Sequence, residues 1–149
     1  MCTSDLMAPT LDGLPDLAIN EDASELTVAL TGISDGELNT QPLRVTTSSS
    51  NTDLIPNPTV TYTSAEATGS IAFTPLANQF GTATITVTVE DGGLDGDLNT
   101  SGDNTTFSRE FELTVIPVNE LPTLTVLHSS QQPDAVPFDF NEGTQIRRP

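Results

Sequence analysis

The chain has 149 residues, of which 21 are acidic and four are arginine, so its formal charge at pH 7 is −17. Such a surface repels phosphate backbones and anionic lipid headgroups, which argues against nucleic-acid and membrane partners and favours cations. The sequence has one Cys, one His and no run of about 18 apolar residues. This inventory argues against a thiolate metal site, a His-dependent nucleophilic triad and a membrane span, and we expect no enzymatic activity.

Apolar and polar residues alternate with a period of two over most of the chain, which is typical of half-buried β-strands. In chain order, the pattern predicts strands over residues 17–19, 26–30, 43–47, 59–63, 70–74, 82–89 and 107–115. The clearest of them is 82–89, where Ala83, Ile85, Val87 and Val89 alternate with threonines. Gly, Pro, Asn and Asp, the usual turn residues, separate the strands.

Seven short strands in about 100 residues, without helical patterns, predict an all-β fold. We expect a seven-stranded antiparallel β-sandwich of immunoglobulin type, although the Cys and Trp residues of an antibody core are absent. A single up-and-down barrel is the structural alternative, but its strands should be more even in length.

Two short motifs from the beginning of the chain recur in order near its end. Pro9-Thr10-Leu11 returns as Pro122-Thr123-Leu124, and Asn20-Glu21 returns as Asn141-Glu142, with offsets of 113 and 121 residues. We interpret residues 8–120 as one complete module after an N-terminal tail, 1–7. Residues 121–149 are then a linker and the truncated start of a second repeat, which we expect to be poorly ordered because it completes no core.

Five segments follow one another along the chain: INED at 19–22, ISDG at 33–36, TGSIAFTP at 68–75, ATITVTVEDGG at 83–93 and PVNELP at 117–122. In their order, these segments resemble the bacterial cadherin-like tandem repeats. The resemblance implies a cadherin-like module of a large surface or secreted protein, and an adhesin or spacer rather than an enzyme. It also implies that calcium binds at the junctions between neighbouring repeats and stiffens them.

In a sandwich of alternating strand directions, odd and even turns gather at opposite ends. One end should carry Asp35, Glu37, Glu90 and Asp91, and the other end Glu21, Asp22, Asn119 and Glu120. By resemblance to the family, calcium ligands are expected at Glu21, Asp35, Asp91, Asn119 and Glu120. Since calcium takes six to eight oxygen ligands, a cluster that spans two modules completes its shell only when the modules align. The chain departs from the family pattern at 75–79, which has no acidic residue, and at Leu121.

A second calcium candidate lies within the loop before the last strand. Asp95, Asp97 and Asn99 have the spacing of the first three ligands of an EF-hand loop. The rest of that pattern fails, because Thr100 stands where Gly is needed and Thr106 where Glu is needed. A polar hairpin loop without metal is the alternative interpretation.

We therefore expect an extracellular or cell-surface module with a structural or adhesive role, in which calcium rigidifies the junctions. Its expected partners are neighbouring repeats of the same polypeptide, with a further cell-surface protein or a glycan as adhesion partner. Two alternatives remain open: a carbohydrate- or ligand-binding β-sandwich, and a spacer that needs no metal.

Overall fold

The computed structural model describes residues 7–36 and 40–120. The chain forms two compact units, Met1–Val118 and Asn119–Pro149. The predicted boundaries near residues 8 and 120 stay predictions, and the predicted second repeat, 121–149, lies outside the described residues. In the described part of the chain, no helix is long and apolar enough to cross a membrane.

The first unit contains seven strands and, among its described residues, no helix. The all-β prediction is therefore confirmed, and each predicted strand has its counterpart within a few residues. The strands are β1 (Leu17–Asn20), β2 (Leu26–Leu30), β3 (Leu43–Ser49), β4 (Thr59–Thr61), β5 (Gly69–Phe73), β6 (Gly81–Asp91) and β7 (Thr106–Ile116).

The strands form two sheets, one of four strands in the order β1-β7-β6-β3 and one of three in the order β2-β5-β4. Two separate sheets confirm the immunoglobulin-like sandwich. One strand pair differs from the expected antiparallel pattern, because β1 runs parallel to β7, with Leu17 opposite Leu113. β1 and β2 belong to different sheets, so no hairpin joins them, and β1 extends the sheet that holds the last strand.

The core lies between the inner faces of the two sheets, as the alternation predicts. On β6, Ile85, Val87 and Val89 are fully buried, while the threonines between them line the outer face. β7 contributes Phe111, Leu113 and Val115, and the other sheet contributes residues such as Ile71. Burial of such side chains, at about 25 cal/mol for each Å² of apolar surface, is the main stabilisation of the fold.

One residue of β7 breaks the alternation. Arg109 occupies the inward register between Phe107 and Phe111, where the pattern calls for an apolar side chain. Its guanidinium carbon lies 4.8 Å from the Phe107 ring centroid, and its Nε donates a hydrogen bond of 2.9 Å to Leu11 O. A long arginine side chain can cover apolar surface while its charged head stays in water. Arg109 therefore covers the Phe107 ring at this edge of the core.

The strand directions define two ends of the sandwich. β6 finishes with Asp91 opposite Leu43, the first residue of β3, and we call this the top end. The parallel strands β1 and β7 finish together, with Asn20 opposite Ile116, and we call this the bottom end. The predicted gathering of turns at two opposite ends therefore agrees with the observed strand order and register.

Candidate functional site

Asp91, a predicted calcium ligand at the top end, is a buried structural acceptor. Its side chain is fully buried, which is unusual for a carboxylate without a cationic partner. Asp91 Oδ1 accepts hydrogen bonds from Gly93 N at 3.1 Å and Thr105 N at 2.8 Å, and Oδ2 accepts a short one from the Thr105 hydroxyl. The carboxylate thus ties the beginning of the β6–β7 loop to its end.

Asp35, the second predicted ligand at the top end, is also fully buried. Its Oδ2 accepts hydrogen bonds from Thr40 N at 2.7 Å and Gln41 N at 3.1 Å, shortly before β3 begins. The carboxylate therefore closes the connection between β2 and β3, much as a cap closes a turn. Glu37, expected in the same cluster, lies outside the described residues.

The three predicted ligands of the β6–β7 loop, Asp95, Asp97 and Asn99, are all exposed. Asp95 Oδ1 accepts a hydrogen bond from Asp97 N at 2.8 Å, and Asp97 Oδ1 accepts one from Asn99 N at 2.9 Å. Each carboxylate bonds to the backbone two residues further on, which is the Asx-turn arrangement. The hydrogen bond from the Thr100 hydroxyl to Asp95, followed by the one from Asp97 N, lowers the pKa of Asp95.

Asp103 orders the same loop, although it was not among the predicted ligands. Its Oδ2 accepts hydrogen bonds from Leu94 N at 2.6 Å and Asp95 N at 3.3 Å. Gly93 precedes them with a φ of 62°, in the left-handed region, and a Cβ there would lie 2.6 Å from Asp103 Cγ. The glycine therefore permits both the turn and the close approach of the carboxylate.

Glu90, which was also predicted at the top end, forms an ion pair with Arg44, the one ion pair found among the described residues. Its Oε2 lies 2.6 Å from Arg44 Nη2, and the same nitrogen donates to Leu98 O at 3.0 Å. The hydrogen bond from Arg44, with that from Asn104, lowers the pKa of Glu90, although partial burial opposes it. The pair was missed in the sequence because it depends on the cross-strand register, which places Arg44 opposite Glu90.

At the bottom end, Glu21 and Asp22 follow β1. Glu21 Oε1 accepts a hydrogen bond of 2.7 Å from Val118 N, so this side chain holds the last residue of the first unit. Asp22 is exposed, and its Oδ1 accepts a hydrogen bond of 3.0 Å from Asn78 N. Asp22 and Asn78 have φ angles of 62° and 61°, a conformation that Asn and Asp tolerate better than most residues.

The last two predicted ligands, Asn119 and Glu120, belong to the second unit and are exposed. Within residues 7–36 and 40–120, no group of three or more His, Cys, Asp or Glu residues is arranged to hold a metal ion. Calcium binding therefore stays a prediction. Among the predicted ligands in the described residues, Asp35 and Asp91 are buried and hold loops, Glu21 is half-buried, and the others are exposed to solvent.

A groove of about 370 Å³ lies between the edges of β3 and β4 and is lined by Arg44, Val60, Tyr62 and Leu98, among others. Tyr62 is the aromatic residue of this lining, and its hydroxyl donates a hydrogen bond of 2.9 Å to Glu66 O. Burial, and then the charge of Glu66, raise the pKa of Tyr62. The tyrosine hydroxyl is thus used to hold the β4–β5 connection.

The family model described as bacterial Ig domain matches residues 7–106. The chain therefore belongs to the bacterial Ig domain family, and the prediction of an immunoglobulin-like bacterial module is confirmed. Domains of this class are typically structural modules without enzymatic activity, and they commonly occur in surface proteins. The narrower assignment to cadherin-like repeats stays a prediction.

Among solved structures, the chain is similar to the ASH / PapD-like domain of human CEP192 (PapD-like domain 7). It has 12% sequence identity and a TM-score of 0.45, over 80% of this chain and 92% of that chain. No curated protein matches the chain in sequence.

Proposed function

We propose that this module is an extracellular structural repeat of a bacterial adhesin or surface spacer, and that calcium bound by carboxylates at its ends stiffens the junctions with neighbouring repeats. Family membership supports the structural role. The observation that carries the calcium proposal is the position of exposed carboxylates at both ends, with Asp97 at the top and Asp22 at the bottom.

The exposed Asp97 and Asp22 and the half-buried Glu21 retain capacity for a metal. In the described structure, Asp97 accepts its hydrogen bonds through Oδ1, Glu21 through Oε1 and Asp22 through Oδ1. A carboxylate offers about four lone-pair sites on its two oxygens, so the second oxygen of each can bind a cation. Oxygen ligands of this kind suit calcium.

The charge of the chain favours the same ligand. Both arginines of the described residues already have other contacts, Arg44 with Glu90 and Arg109 with Leu11 O and Phe107. The exposed carboxylates of the ends therefore repel one another unless salt or a metal neutralises them. A bound divalent cation would be the largest local charge and would convert this repulsion into shared coordination.

The junction between repeats is the place where protein oxygens alone can complete the coordination shell. The described residues of one module hold no preformed group of three ligands, whereas calcium takes six to eight oxygens. Water would supply the missing oxygens for an ion bound to one module, and a neighbouring repeat that aligns with an acidic end would replace that water and tighten the binding. Calcium would then bind the aligned arrangement in preference to others, and binding would limit the motion between repeats.

A spacer that needs no metal is the second candidate, and the top end supplies the observation that favours it. The β6–β7 loop is ordered by its own carboxylates, since Asp91, Asp95 and Asp103 all accept hydrogen bonds from loop N–H groups. These hydrogen bonds support a loop that folds without calcium. The two candidates agree on the structural role and differ in the response to calcium.

Thermal unfolding of the full chain in EDTA, in calcium and in magnesium separates them. A ligand that binds only the folded state raises the midpoint, and occupancy at one hundred times Kd stabilises by about 2.7 kcal/mol. We expect calcium to raise the midpoint by several degrees and magnesium to have much less effect.

The variants locate the site, and their control is Glu110→Gln, which removes an exposed carboxylate from the middle of β7. Loss of the calcium effect in Asp95→Asn/Asp97→Asn assigns the loop, and loss in Glu21→Gln assigns the bottom end. No calcium effect in the unaltered chain, or an equal effect of magnesium, would contradict the calcium proposal and leave the metal-independent spacer.

A further inference from the structure

The two sheets of the first unit have four edge strands, β1, β3, β2 and β4, and three of these edges are short or protected. β1 has four residues and lies between Asp16 and Glu21. β2 has five residues, and backbone hydrogen bonds from residues 10–12 cover the chain that continues it. β4 has three residues and follows Pro58 directly. Short length, charge and proline all protect a sheet edge from pairing with a further strand.

The edge of β3 is longer and less protected. Its sequence, LRVTTSS, contains no acidic residue and no proline, and its one charged residue, Arg44, is paired with Glu90. Ser50 N, just after the strand, donates a hydrogen bond to Thr84 O, and the register with β6 is regular. Even-numbered residues therefore bond to β6, and the odd-numbered residues of β3 direct their N–H and C=O groups away from it.

Side chains bond to the two ends of this outward edge and leave its middle open. The N–H groups of the first and last residues of β3 donate hydrogen bonds of 2.8 Å to Ser64 Oγ and Asn57 Oδ1. Between them, the outward N–H groups of Val45 and Thr47 have no hydrogen-bond partner in the described part of the chain. The two bonded positions are about 20 Å apart, at about 3.4 Å for each residue. Unpaired groups of this kind are a template for one more strand.

The groove between β3 and β4 gives this open edge an apolar floor. Val45, Val60, Tyr62 and Leu98 all contribute to its lining. Side chains of a strand point alternately to its two faces, so a strand paired with β3 would direct every second side chain toward this groove. The edge therefore offers main-chain hydrogen bonds and an apolar contact side by side.

The charges near the groove favour a cationic ligand. Arg44 is already neutralised by Glu90. Burial, and then the negative charge of Glu66, raise the pKa of Tyr62, so this carboxylate lies close enough to the groove to act on it. Glu66 is exposed, and no arginine of the described residues forms an ion pair with it. Together with the formal charge of −17, Glu66 attracts a cationic partner and repels an acidic one.

We propose that the edge of β3 binds an extended, cationic peptide segment of a partner protein, which pairs with the backbone of Val45 and Thr47 and places apolar side chains in the groove. In strand addition, main-chain hydrogen bonds supply affinity, and pockets for alternate side chains supply specificity. The short open stretch between Ser64 and Asn57 suits a single segment of about five to seven residues. This inference goes beyond the spacer role and does not depend on calcium.

Titration of the isotope-labelled full chain with a peptide, followed by NMR in EDTA at low ionic strength, tests the proposal. The probe is the acetylated and amidated heptapeptide Lys-Val-Thr-Val-Thr-Val-Lys. We expect saturable shifts of the amides of Val45 and Thr47, with the amides of β1 unchanged. The same peptide with glutamate at both ends should bind at least about tenfold more weakly. Proline at two adjacent central positions should abolish binding, because the peptide then lacks the N–H groups for pairing.

Two substitutions at one position test the pairing itself. Thr47→Pro removes an outward N–H without removing a hydrogen bond to β6, and proline is tolerated in an edge strand when its missing N–H faces outward. We expect this variant to lose peptide binding. Thr47→Val is the matched control, because it loses the same hydroxyl bond to Pro58 O but keeps the N–H, and it should bind as the unaltered chain does. Thermal unfolding shows whether each variant is folded.

A third variant keeps the test informative if Thr47→Pro does not fold. Glu66→Gln changes an exposed side chain and should weaken binding of the lysine peptide by about threefold, while a peptide with glutamine at both ends binds this variant and the unaltered chain equally. Equal binding by folded Thr47→Pro and Thr47→Val, preference for the glutamate peptide, or no saturable shift with any of these peptides would overturn the proposal. Shifts of the Val45 and Thr47 amides on dilution without peptide would assign the edge to a second copy and would also overturn it. Since EDTA is present throughout, a failure here is distinct from a failure of the calcium proposal.

Discussion

The two ends of the module use carboxylates in different ways. At the top end, Asp35 and Asp91 are fully buried and accept hydrogen bonds from the backbone of the loops that they close. At the bottom end, Asp22 is exposed and Glu21 is half-buried, with one oxygen on the N–H of Val118. In the sequence, all four look alike, as acidic residues beside turns.

The comparison teaches that an acidic residue at a strand end has one of two roles, and that burial separates them. A buried carboxylate without a cation is tolerated only when hydrogen-bond donors surround it, and those donors then make it part of the fold. An exposed carboxylate with one oxygen engaged can be removed at little cost to the fold and remains open to a ligand. Substitution of a buried carboxylate should therefore destabilise the fold, whereas substitution of an exposed one should change the free energy of unfolding little.

The largest expected effect is at Asp91. Asp91→Ala removes the acceptor of three hydrogen bonds and leaves the donors of Gly93 and Thr105 without it, so we expect a loss of about 3 kcal/mol in the free energy of unfolding. Denaturant unfolding measures this loss. Asp97→Ala, in the same loop but exposed, is the control and should change stability by no more than about 0.5 kcal/mol. Equal losses would refute the division by burial.

The next effect concerns the backbone beside Asp35. Gly36 has a φ of 85°, and a Cβ there would approach the carbonyl oxygen of Ala8 more closely than van der Waals contact allows. Gly36→Ala should therefore lower the free energy of unfolding by about 2 kcal/mol. Gly102→Ala is the control, because no atom lies within 4 Å of the Cβ position there, and it should leave the thermal midpoint nearly unchanged. If Gly36→Ala leaves the free energy of unfolding unchanged, the backbone of Ala8 does not approach Gly36 as closely as described.

A smaller and pH-dependent effect is expected for Arg44→Met. Because the pKa of Glu90 is lowered in the folded state, mainly by Arg44, the pair stabilises above the ordinary glutamate pKa of about 4.3. That contribution disappears as the pH falls through the folded-state pKa. Arg44 is 43% exposed, so we expect at most about 1 kcal/mol at neutral pH.

Urea unfolding of the unaltered chain and of Arg44→Met as a function of pH measures this difference. The two curves should converge in acid. Arg109→Met is the control, since Arg109 contacts a carbonyl oxygen and a ring, and its cost should not vary with pH in this range. A constant difference between the unaltered chain and Arg44→Met would mean that the ion pair is not the source of the stabilisation.

The smallest effect on stability is expected at the bottom end. Glu21→Gln keeps an oxygen that can accept the hydrogen bond from Val118 N, so the free energy of unfolding in EDTA should change by less than about 0.5 kcal/mol. The response to calcium at this end should nevertheless be lost, because the carboxylate charge is gone. A large loss of stability in EDTA would place Glu21 with the buried carboxylates of the top end.

Much of the fold could be predicted from local pattern. Alternation identified β6 and β7, turn residues separated the strands, and the zigzag of strand directions placed the acidic residues at two ends. The parallel pairing of β1 with β7 could not be predicted, because it depends on which sheet each strand joins and not on its own sequence. Arg109 was unexpected for a similar reason, since its partner Leu11 is 98 positions away.

The positions of the candidate ligands could be predicted from the sequence. Which of them are buried acceptors of hydrogen bonds could not. The register that brings Arg44 to Glu90, and the closure of the β6–β7 loop onto Asp91, are long-range consequences of folding. An Asp-Gly pair such as Asp35-Gly36 indicates a turn, but nothing in it indicates that the carboxylate is buried. Burial is a property of the packed structure, and it is the property that divides the predicted ligands.

The most direct test of the account is a calcium titration of the isotope-labelled full chain followed by NMR, with magnesium as comparison. The account predicts saturable shifts of the backbone amides near Asp97 and Asp22, at the two ends, while the amides of Thr84 to Thr88 in the middle of β6 stay unchanged. Shifts that never saturate, that magnesium reproduces, or that centre on the buried Asp91 would contradict the claim that the exposed end carboxylates bind calcium.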